Sequence, residues 1–258
     1  MNMRAIASRV IAAVLFLAGS PARSAAPAVD QWQVNYDARQ QYFEKTVGPL
    51  PADILKMLSM AVVWPGGGLF VIPAPQLGTG LAVFTTFGLS NQDMPTTVQA
   101  TSVEVTSDGK RSTGARATLS TRTPAPGRAG YAGYGYEILM VAPMHEKWPL
   151  NFLQWAVNAE IGHDADLLDR VEKNGGLTVE KIDVGNDRTV NVLIARATAP
   201  LPTGTLLPQG KMDILVATTI TEEAMRWAQR HGRQGLLKRL QENGAGQMSV
   251  LNRSSVVQ

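Results

Sequence analysis

The sequence predicts a single α+β domain with a mixed, mainly antiparallel multi-stranded sheet that is flanked by a few helices. Apolar runs rich in β-branched and aromatic residues recur between prolines and glycines, which is typical of strands. Segments with apolar residues at helical spacing are fewer. An Asp-Gly pair at residues 108–109 divides an alternating segment, which favours a hairpin and therefore antiparallel pairing.

The first 24 residues have the layout of a secretory signal peptide. Arg4 and Arg9 form a basic start, Val10–Ala18 is an apolar run, and residues 22–24 (Ala-Arg-Ser) offer a cleavage site. The apolar run is roughly half of the ~20 residues that a membrane-spanning helix needs. We therefore expect cleavage after Ser24 and a periplasmic or secreted protein without a stable membrane span, with a retained anchor as the alternative.

Charge and composition exclude several classes of function. The signal segment carries three arginines and no acid, so its removal leaves 21 basic residues against 21 acidic ones. A neutral chain gives no electrostatic basis for binding nucleic acid. The chain has no cysteine, which excludes disulfides, thiolate zinc sites and thiol catalysis.

The elements of the first half follow a flexible segment predicted at residues 25–35, and the domain itself is predicted over residues 36–258. Prolines at 49 and 51 separate two short helical patterns, because proline ends one helix and can open the next. Residues 98–122 alternate as an inserted hairpin would, and the Pro/Gly-rich residues 123–133 predict a loop. The first-half helices are predicted at residues 37–46 and 52–60, and the strands at 61–64, 69–72, 81–87 and 134–142.

The second half opens with the clearest helix, from Trp148-Pro149 to Gly162, in which proline suits the first helical turn. The run Thr219–Glu222 fits a capping box and predicts a helix that ends at His231. The remaining elements are strands at residues 177–184, 190–197, 212–219 and 248–251, and a helical turn at 234–241.

One segment suggests a serine hydrolase. Residues 88–92 (Gly-Leu-Ser-Asn-Gln) are similar to the G-x-S-x-G nucleophile motif, and residues 64–68 are similar to an H-G-G-G oxyanion loop. Gln92 replaces the second glycine and Pro65 replaces the histidine, so the tight turn that presents a nucleophile is not encoded. A periplasmic hydrolase that uses Ser90, with His163 and an acid such as Asp93, remains the alternative to a non-enzymatic protein.

No metal or cofactor site is predicted. The histidines at 145, 163 and 231 lack the spacing of metal ligands. His163, Asp164 and Asp166 could gather a cation, but we favour a solvated helix exit because a metal needs three or four converging ligands. Glu137, early in an apolar strand, is interpreted as a strand-end or outward-facing acid. The Pro/Gly loops lack the lysine of a P-loop, so no phosphate site is predicted.

Six segments, taken in order, resemble the suppressor of fused family over about residues 64–254. Two departures are the order Asp93-Met94-Pro95, which inverts the proline and methionine of the family, and Thr219, where the family often has proline. The hairpin at 98–122 resembles an insertion. The segments are residues 84–95 (FTTFGLSNQDMP), 136–143 (YEILMVAP), 148–153 (WPLNFL) with Gly162-His163, 207–210 (LPQG), 219–224 (TITEEA) with Gly232, and 251–255 (LNRSS).

The resemblance implies a protein-binding domain without an established catalytic centre. Relatives in animals sequester a transcription factor, and bacterial relatives are associated with toxin systems as immunity proteins. Our leading interpretation is therefore an exported, non-enzymatic protein-binding domain that acts on an unidentified protein partner, such as a toxin, and needs no cofactor. A small-ligand protein with a pocket under residues 123–133 is a third hypothesis. The family-motif positions that could form a partner surface are Ser90, Asp93, Glu137, His163 and Glu222.

Overall fold

Five helices and nine strands form the part of the chain that the computed structural model describes, which is residues 30–52, 54–55, 63–107 and 112–257. The helices are α1 (Gln31–Thr46), α2 (Trp148–Val157), α3 (Leu167–Asn174), α4 (Glu222–His231) and α5 (Arg233–Glu242). The strands are β1 (Gly68–Pro73), β2 (Leu81–Phe87), β3 (Val98–Ser107), β4 (Ser112–Thr121), β5 (Tyr131–Pro143), β6 (Leu177–Asp183), β7 (Thr189–Arg196), β8 (Gly204–Leu207) and β9 (Gly210–Ile220).

The main sheet has seven strands, with six in the order β1-β2-β5-β9-β7-β6 and β8 paired with the start of β9. Strands β5 and β9 run parallel, and every other neighbouring pair in the sheet is antiparallel. The predicted α+β class with a mixed, mainly antiparallel sheet is therefore confirmed. Strand β9 lies at the centre and joins the β1-β2-β5 half of the sheet to the β7-β6 half.

Helices cover both faces of the sheet because successive strand side chains point to opposite faces. Along β5, Ile138 and Met140 belong to the apolar cluster that includes α2 and α3. The alternate residues Leu139 and Val141 belong to the cluster that includes Phe43 of α1. The sheet is thus the middle layer, and each face buries its own core.

Helices α4 and α5 cover the β7 end of the sheet. Ala195 of β7 packs with them and lies in register with Val216 of β9, which belongs to the α1 cluster. Because register partners in an antiparallel pair share a face, α1, α4 and α5 all lie on one face, opposite α2 and α3.

Several predicted boundaries need correction. Helix α1 begins at Gln31, so residues 31–35 are helical rather than part of the flexible segment expected there. The predicted strand at 248–251 is reduced to a single bridge between Met248 and Val141. Most of the predicted helix at 52–60 lies outside the described residues, as do residues 61–62 of the strand predicted at 61–64, of which Val63 and Trp64 are not in a strand.

Strands β3 and β4 form the hairpin that the alternating segment predicts. They pair antiparallel from Val98↔Thr121 onward and make a two-stranded sheet of their own. The turn at Asp108-Gly109 lies outside the described residues. Within the described part of the chain, neither strand pairs with the main sheet, so the hairpin is an appendage between β2 and β5.

Candidate functional site

The polar centre of the fold is the carboxylate of Glu137, which is 0% exposed. It lies on β5 just beyond the last residue that pairs with β2, and so faces the turn that follows β2. The carboxylate accepts hydrogen bonds from the Gly88 amide at 2.8 Å, the Ser90 amide at 3.0 Å and the Ser90 hydroxyl at 2.7 Å. The Thr86 hydroxyl donates a further bond at 2.7 Å. The interpretation of Glu137 as an outward-facing acid was wrong.

Arg39 of α1 brings a buried positive charge to the same place and is also 0% exposed. Its guanidinium donates to the Ser90 hydroxyl at 3.1 Å and to Asn91 Oδ1 at 2.6 Å, and it lies 3.9 Å from Glu137 Oε1. It also stacks 4.2 Å from the centre of the Phe87 ring. Burial lowers the pKa of Arg39, and the nearby Glu137 carboxylate opposes that shift.

The turn after β2 is fixed from three further directions. Asn35 of α1 donates to the Ser90 carbonyl at 3.0 Å, and Asn91 Nδ2 donates to the Pro65 carbonyl at 2.7 Å. Gly133 of β5 lies so close that an added Cβ would be 2.4 Å from the Leu89 carbonyl oxygen. The segment therefore locks α1, β2 and β5 together.

Ser90 is placed as a structural residue and not as a nucleophile. It is 0% exposed, its hydroxyl donates to Glu137, and the same oxygen accepts from Arg39. A catalytic serine needs a general base within reach and open access for substrate. None of the three histidines, all of which the structure describes, hydrogen-bonds to Ser90, so this geometry gives no support to the hydrolase alternative.

The five predicted surface positions do not lie together. Ser90 and Glu137 are interior residues, so neither can contact a partner directly. Asp93 is exposed just after the turn, and His163 is exposed between α2 and α3. Glu222 begins α4, where it accepts hydrogen bonds from Asn191 at 3.1 Å and Arg226 at 3.2 Å.

A second buried carboxylate, Glu160, organises the segment around His163. It lies in a π-helical turn (Asn158–Gly162) that extends α2. Its carboxylate accepts hydrogen bonds from the Tyr136 hydroxyl at 2.5 Å, the Leu167 amide at 2.9 Å and the Asp166 amide at 3.1 Å. Because these two amides begin α3, the carboxylate occupies the N-terminus of that helix. Burial raises the pKa of Glu160, against the lowering effect of these hydrogen bonds.

Asp164, the acid next to His163, has a partner other than a metal. Asp164 pairs with Arg122, which also donates to the Ile161 carbonyl. Asp164 and Asp166 adopt left-handed backbone angles, with φ of 48° and 52°. Across the described residues, no group of three histidine, cysteine or carboxylate side chains is arranged to hold a metal ion.

An ion-pair cluster at the start of β5 and β9 was not foreseen from the sequence. Asp213 accepts from Arg196 at 2.9 Å and pairs with Lys211 at 3.0 Å. Glu172 pairs with Arg128 at 2.5 Å and with the same Arg196. These residues come from four separate elements and loops, and no local pattern brings them together. The other four side chains are partly exposed, whereas the Asp213 carboxylate is only 4% exposed, so the network lies at the surface around one buried acid.

The sequence matches the model of a known protein family. The model of the family described as "Suppressor of fused protein (SUFU)" matches residues 49–254, which is more than half of the chain. The chain belongs to the suppressor of fused family. The SUFU match confirms the resemblance proposed over residues 64–254 and extends it toward the N-terminus. A comparison with curated protein sequences finds no significant match.

Solved SUFU structures share the fold. The chain is similar to that in a crystal structure of the Sufu–Fu complex, with 14% identity and a TM-score of 0.50 over 88% of this chain and 92% of the other. It is similar to a SUFU homologue from Neisseria gonorrhoeae FA 1090, with 14% identity and a TM-score of 0.53 over 90% and 99%. Drosophila Suppressor of Fused aligns with 15% identity and a TM-score of 0.48 over 87% of this chain and 50% of its own length.

The family motifs can now be located in the SUFU fold. The segment FGLSNQDMP supplies Ser90 and Asn91, and the segment YEILMVAP supplies Glu137. The two best motifs thus meet at one buried hydrogen-bond network. Arg39, the third member, was not identified from the sequence, because a lone arginine in a polar helix resembles any solvated residue.

No helix in the described residues is long and apolar enough to cross a membrane.

Proposed function

We propose that this SUFU-family chain is an exported, non-enzymatic protein-binding domain whose partner is a protein toxin. The observation that carries the proposal is that two of the family-motif residues lie in the interior. Ser90 and Glu137, the residues best suited to chemistry, are fully buried and paired with each other. The relative solved as the Sufu–Fu complex binds another protein, which supports the same mode of action here.

The β3–β4 hairpin is the surface that we assign to the partner. An isolated two-stranded hairpin is only marginally stable in water, and this one pairs with no other described strand. Most of the hairpin residues whose side chains the structure describes are exposed, and Leu119 is 57% exposed. A partner strand could add to either open edge through backbone hydrogen bonds, while Leu119 supplies apolar contact.

An affinity capture with a matched control tests the hairpin. The mature chain is used as bait in envelope extracts, beside the variants Leu119→Asp and Leu206→Asp. Both leucines are exposed, at 57% and 79%, but Leu206 lies on β8. We expect Leu119→Asp to reduce a specifically captured protein at least tenfold and Leu206→Asp to leave it unchanged. Equal capture by both variants would show that the hairpin is not the binding face.

The toxin assignment needs a growth assay. A secreted toxin encoded beside this chain is expressed with and without it, and we expect growth to be restored only when the chain is present with Leu119 intact. Growth inhibition that persists despite export of the chain would contradict the immunity role and leave protein binding in general untouched.

Chemistry and export are tested separately. A fluorophosphonate probe should leave Ser90 unlabelled, and stoichiometric labelling would overturn the non-enzymatic assignment. Export is supported by the signal layout of the first 24 residues. Mass spectrometry of the periplasmic fraction should find a chain that begins at residue 25, and a protein confined to the cytoplasm with its N-terminus intact would refute export.

A further inference from the structure

The orientation of the β3–β4 hairpin decides which of its two faces a partner meets. Along β4, Ala117 and Leu119 lie on one face and Arg116 on the other, because successive strand side chains alternate. Glu104 of β3 is in register with Arg116 and therefore shares its face. All four residues are exposed. A hairpin that rotated about its base would exchange an apolar face for a charged one.

The two strands themselves do little to fix this orientation. In the described part of the chain they pair with each other and with no strand of the main sheet. The Thr101 and Ser120 hydroxyls donate across the hairpin itself, to the Thr118 carbonyl at 3.2 Å and the Gln99 carbonyl at 3.5 Å. Ala100, near the base, is 3% exposed. The connection between hairpin and domain is therefore to be sought at the base.

Arg122, the residue after β4, joins the base of the hairpin to the rest of the domain. Its backbone amide donates to the Thr97 carbonyl at 2.7 Å and so closes the hairpin. Its side chain, which is 9% exposed, pairs with Asp164 and donates to the Ile161 carbonyl through a second nitrogen. We call these three groups the Arg122 anchor. A rotation of the hairpin would carry the guanidinium away from both acceptors.

The acceptors of the anchor lie where a guanidinium is favoured. Ile161 belongs to the π-helical turn that extends α2, and Asp164 follows that turn directly. The last carbonyls of a helix lack intrahelical donors and form the negative end of its dipole, so they attract a cation. Because two nitrogens of one planar group are held, the anchor fixes a direction as well as a distance. The Glu160 carboxylate holds the same corner against α3.

We propose that Arg122 is a positioning residue for the protein partner, which holds the hairpin against the corner between α2 and α3 so that the face with Leu119 is presented. This inference rests on the proposed function of the hairpin as the partner surface. Without the anchor the hairpin samples other orientations. The apparent affinity then falls in proportion to the fraction of molecules that keep the binding orientation.

Pulsed EPR measures the orientation of the hairpin without any partner. The chain has no cysteine, so spin labels attach only at introduced ones, here Thr118→Cys on β4 and Lys173→Cys on α3, both exposed. We expect a narrow distribution of label distances in the mature chain and one at least twice as wide after Arg122→Gln. Arg116→Gln, which removes an exposed arginine from β4, should leave the width unchanged. A wide distribution with Arg122 present, or equal widths with and without it, would overturn the proposal.

Asp164→Asn tests the anchor from its other side and leaves the hairpin sequence intact. Asparagine tolerates the left-handed backbone at this position, where φ is 48°. The neutral amide loses the ion pair with Arg122, so the distance distribution should widen. Asp166→Asn is the matched control, because Asp166 is the next acid along and has a similar φ of 52°. Equal widening by both variants would contradict the assignment to the anchor.

Affinity capture from envelope extracts connects the anchor to partner binding. Arg122→Gln should reduce the protein captured by the wild type at least tenfold and still melt cooperatively, since Arg122 belongs to none of the apolar clusters of the described residues. If the EPR distribution widens but capture is unchanged, the positioning role is wrong and protein binding stands. If the wild type captures no protein, the proposed function is wrong and the positioning role falls with it.

Discussion

Replacing Glu137 with glutamine tests the buried network most directly. Glutamine keeps the shape of the side chain but removes its charge and turns one carboxylate oxygen into an N–H donor. That donor would face groups that also donate, because the Gly88 amide, the Ser90 amide and hydroxyl, and the Thr86 hydroxyl all point at the carboxylate. Arg39, 3.9 Å away, would lose the one carboxylate that pairs with it among the described residues.

The expected cost follows from this geometry. Removing one partner of a buried ion pair costs about 3–5 kcal/mol. For a domain of this size each kcal/mol lowers the melting temperature by about 2–4 °C, so we expect a drop of about 6–20 °C. The free energy of unfolding is measured by urea denaturation, with the slope checked for two-state behaviour.

A surface control and a double variant accompany Glu137→Gln. Glu242→Gln removes a 58% exposed carboxylate that pairs with Lys238 on the surface, and it should cost less than about 0.5 kcal/mol. The double variant Arg39→Met with Glu137→Leu removes both charges, so its cost should fall well below the sum of the two single variants. A cost of less than about 1 kcal/mol for Glu137→Gln would refute the assignment of a stabilising buried carboxylate.

Three other predictions concern a buried acid, a close backbone contact and a helix cap. Burial raises the pKa of Glu160, so the folded state binds a proton more tightly than the unfolded state does. The stability that this proton binding contributes is fully present below the unfolded pKa and is lost as pH rises through the folded pKa. The difference in free energy of unfolding between wild type and Glu160→Gln, measured by urea titration, should therefore shrink between pH 4.5 and pH 7. A difference that widens with pH would contradict a raised pKa of Glu160. Gly133→Ala should cost more than Gly130→Ala, since both glycines have positive φ but only the first Cβ meets backbone, at 2.4 Å. Equal losses in thermal melts would show that the close approach is unimportant. Thr221 accepts from the Ala224 amide at 3.2 Å at the start of α4, and Thr221→Ala should cost about 0.5–2 kcal/mol, whereas an unchanged urea midpoint would argue against the cap.

Local patterns predicted most of the strands because their information lies within a few neighbouring residues. The β3–β4 hairpin follows from alternation. The run Thr219–Glu222 predicted the start of α4, but the residue that caps the helix is Thr221, and Thr219 belongs to β9. Helix α3 was missed, because the signal at its N-terminus is not a local cap. That end is occupied by Glu160, seven residues before Leu167.

The candidate site could not be predicted, because its partners are distant in the chain. Glu137 and Ser90 are 47 positions apart, and Arg39 precedes Ser90 by 51. Helix α1 also reverses the usual amphipathic pattern, since its buried residues are Asn35, Arg39 and Phe43. Hydrophobic periodicity takes such polar positions as the solvated face, and this explains both the late predicted start of the helix and the overlooked arginine.

The central position of β9 has a consequence for the order in which the chain can fold. In a chain made N-terminus first, β5 is complete at Pro143 and β7 at Arg196, before residues 210–220 exist to pair with both of them. Until then each of these apolar strands presents an open edge, which is the feature that promotes aggregation. We therefore expect a nascent chain of this protein to be prone to aggregation until β9 has been made, and truncation before β9 should yield insoluble material in place of a smaller folded domain.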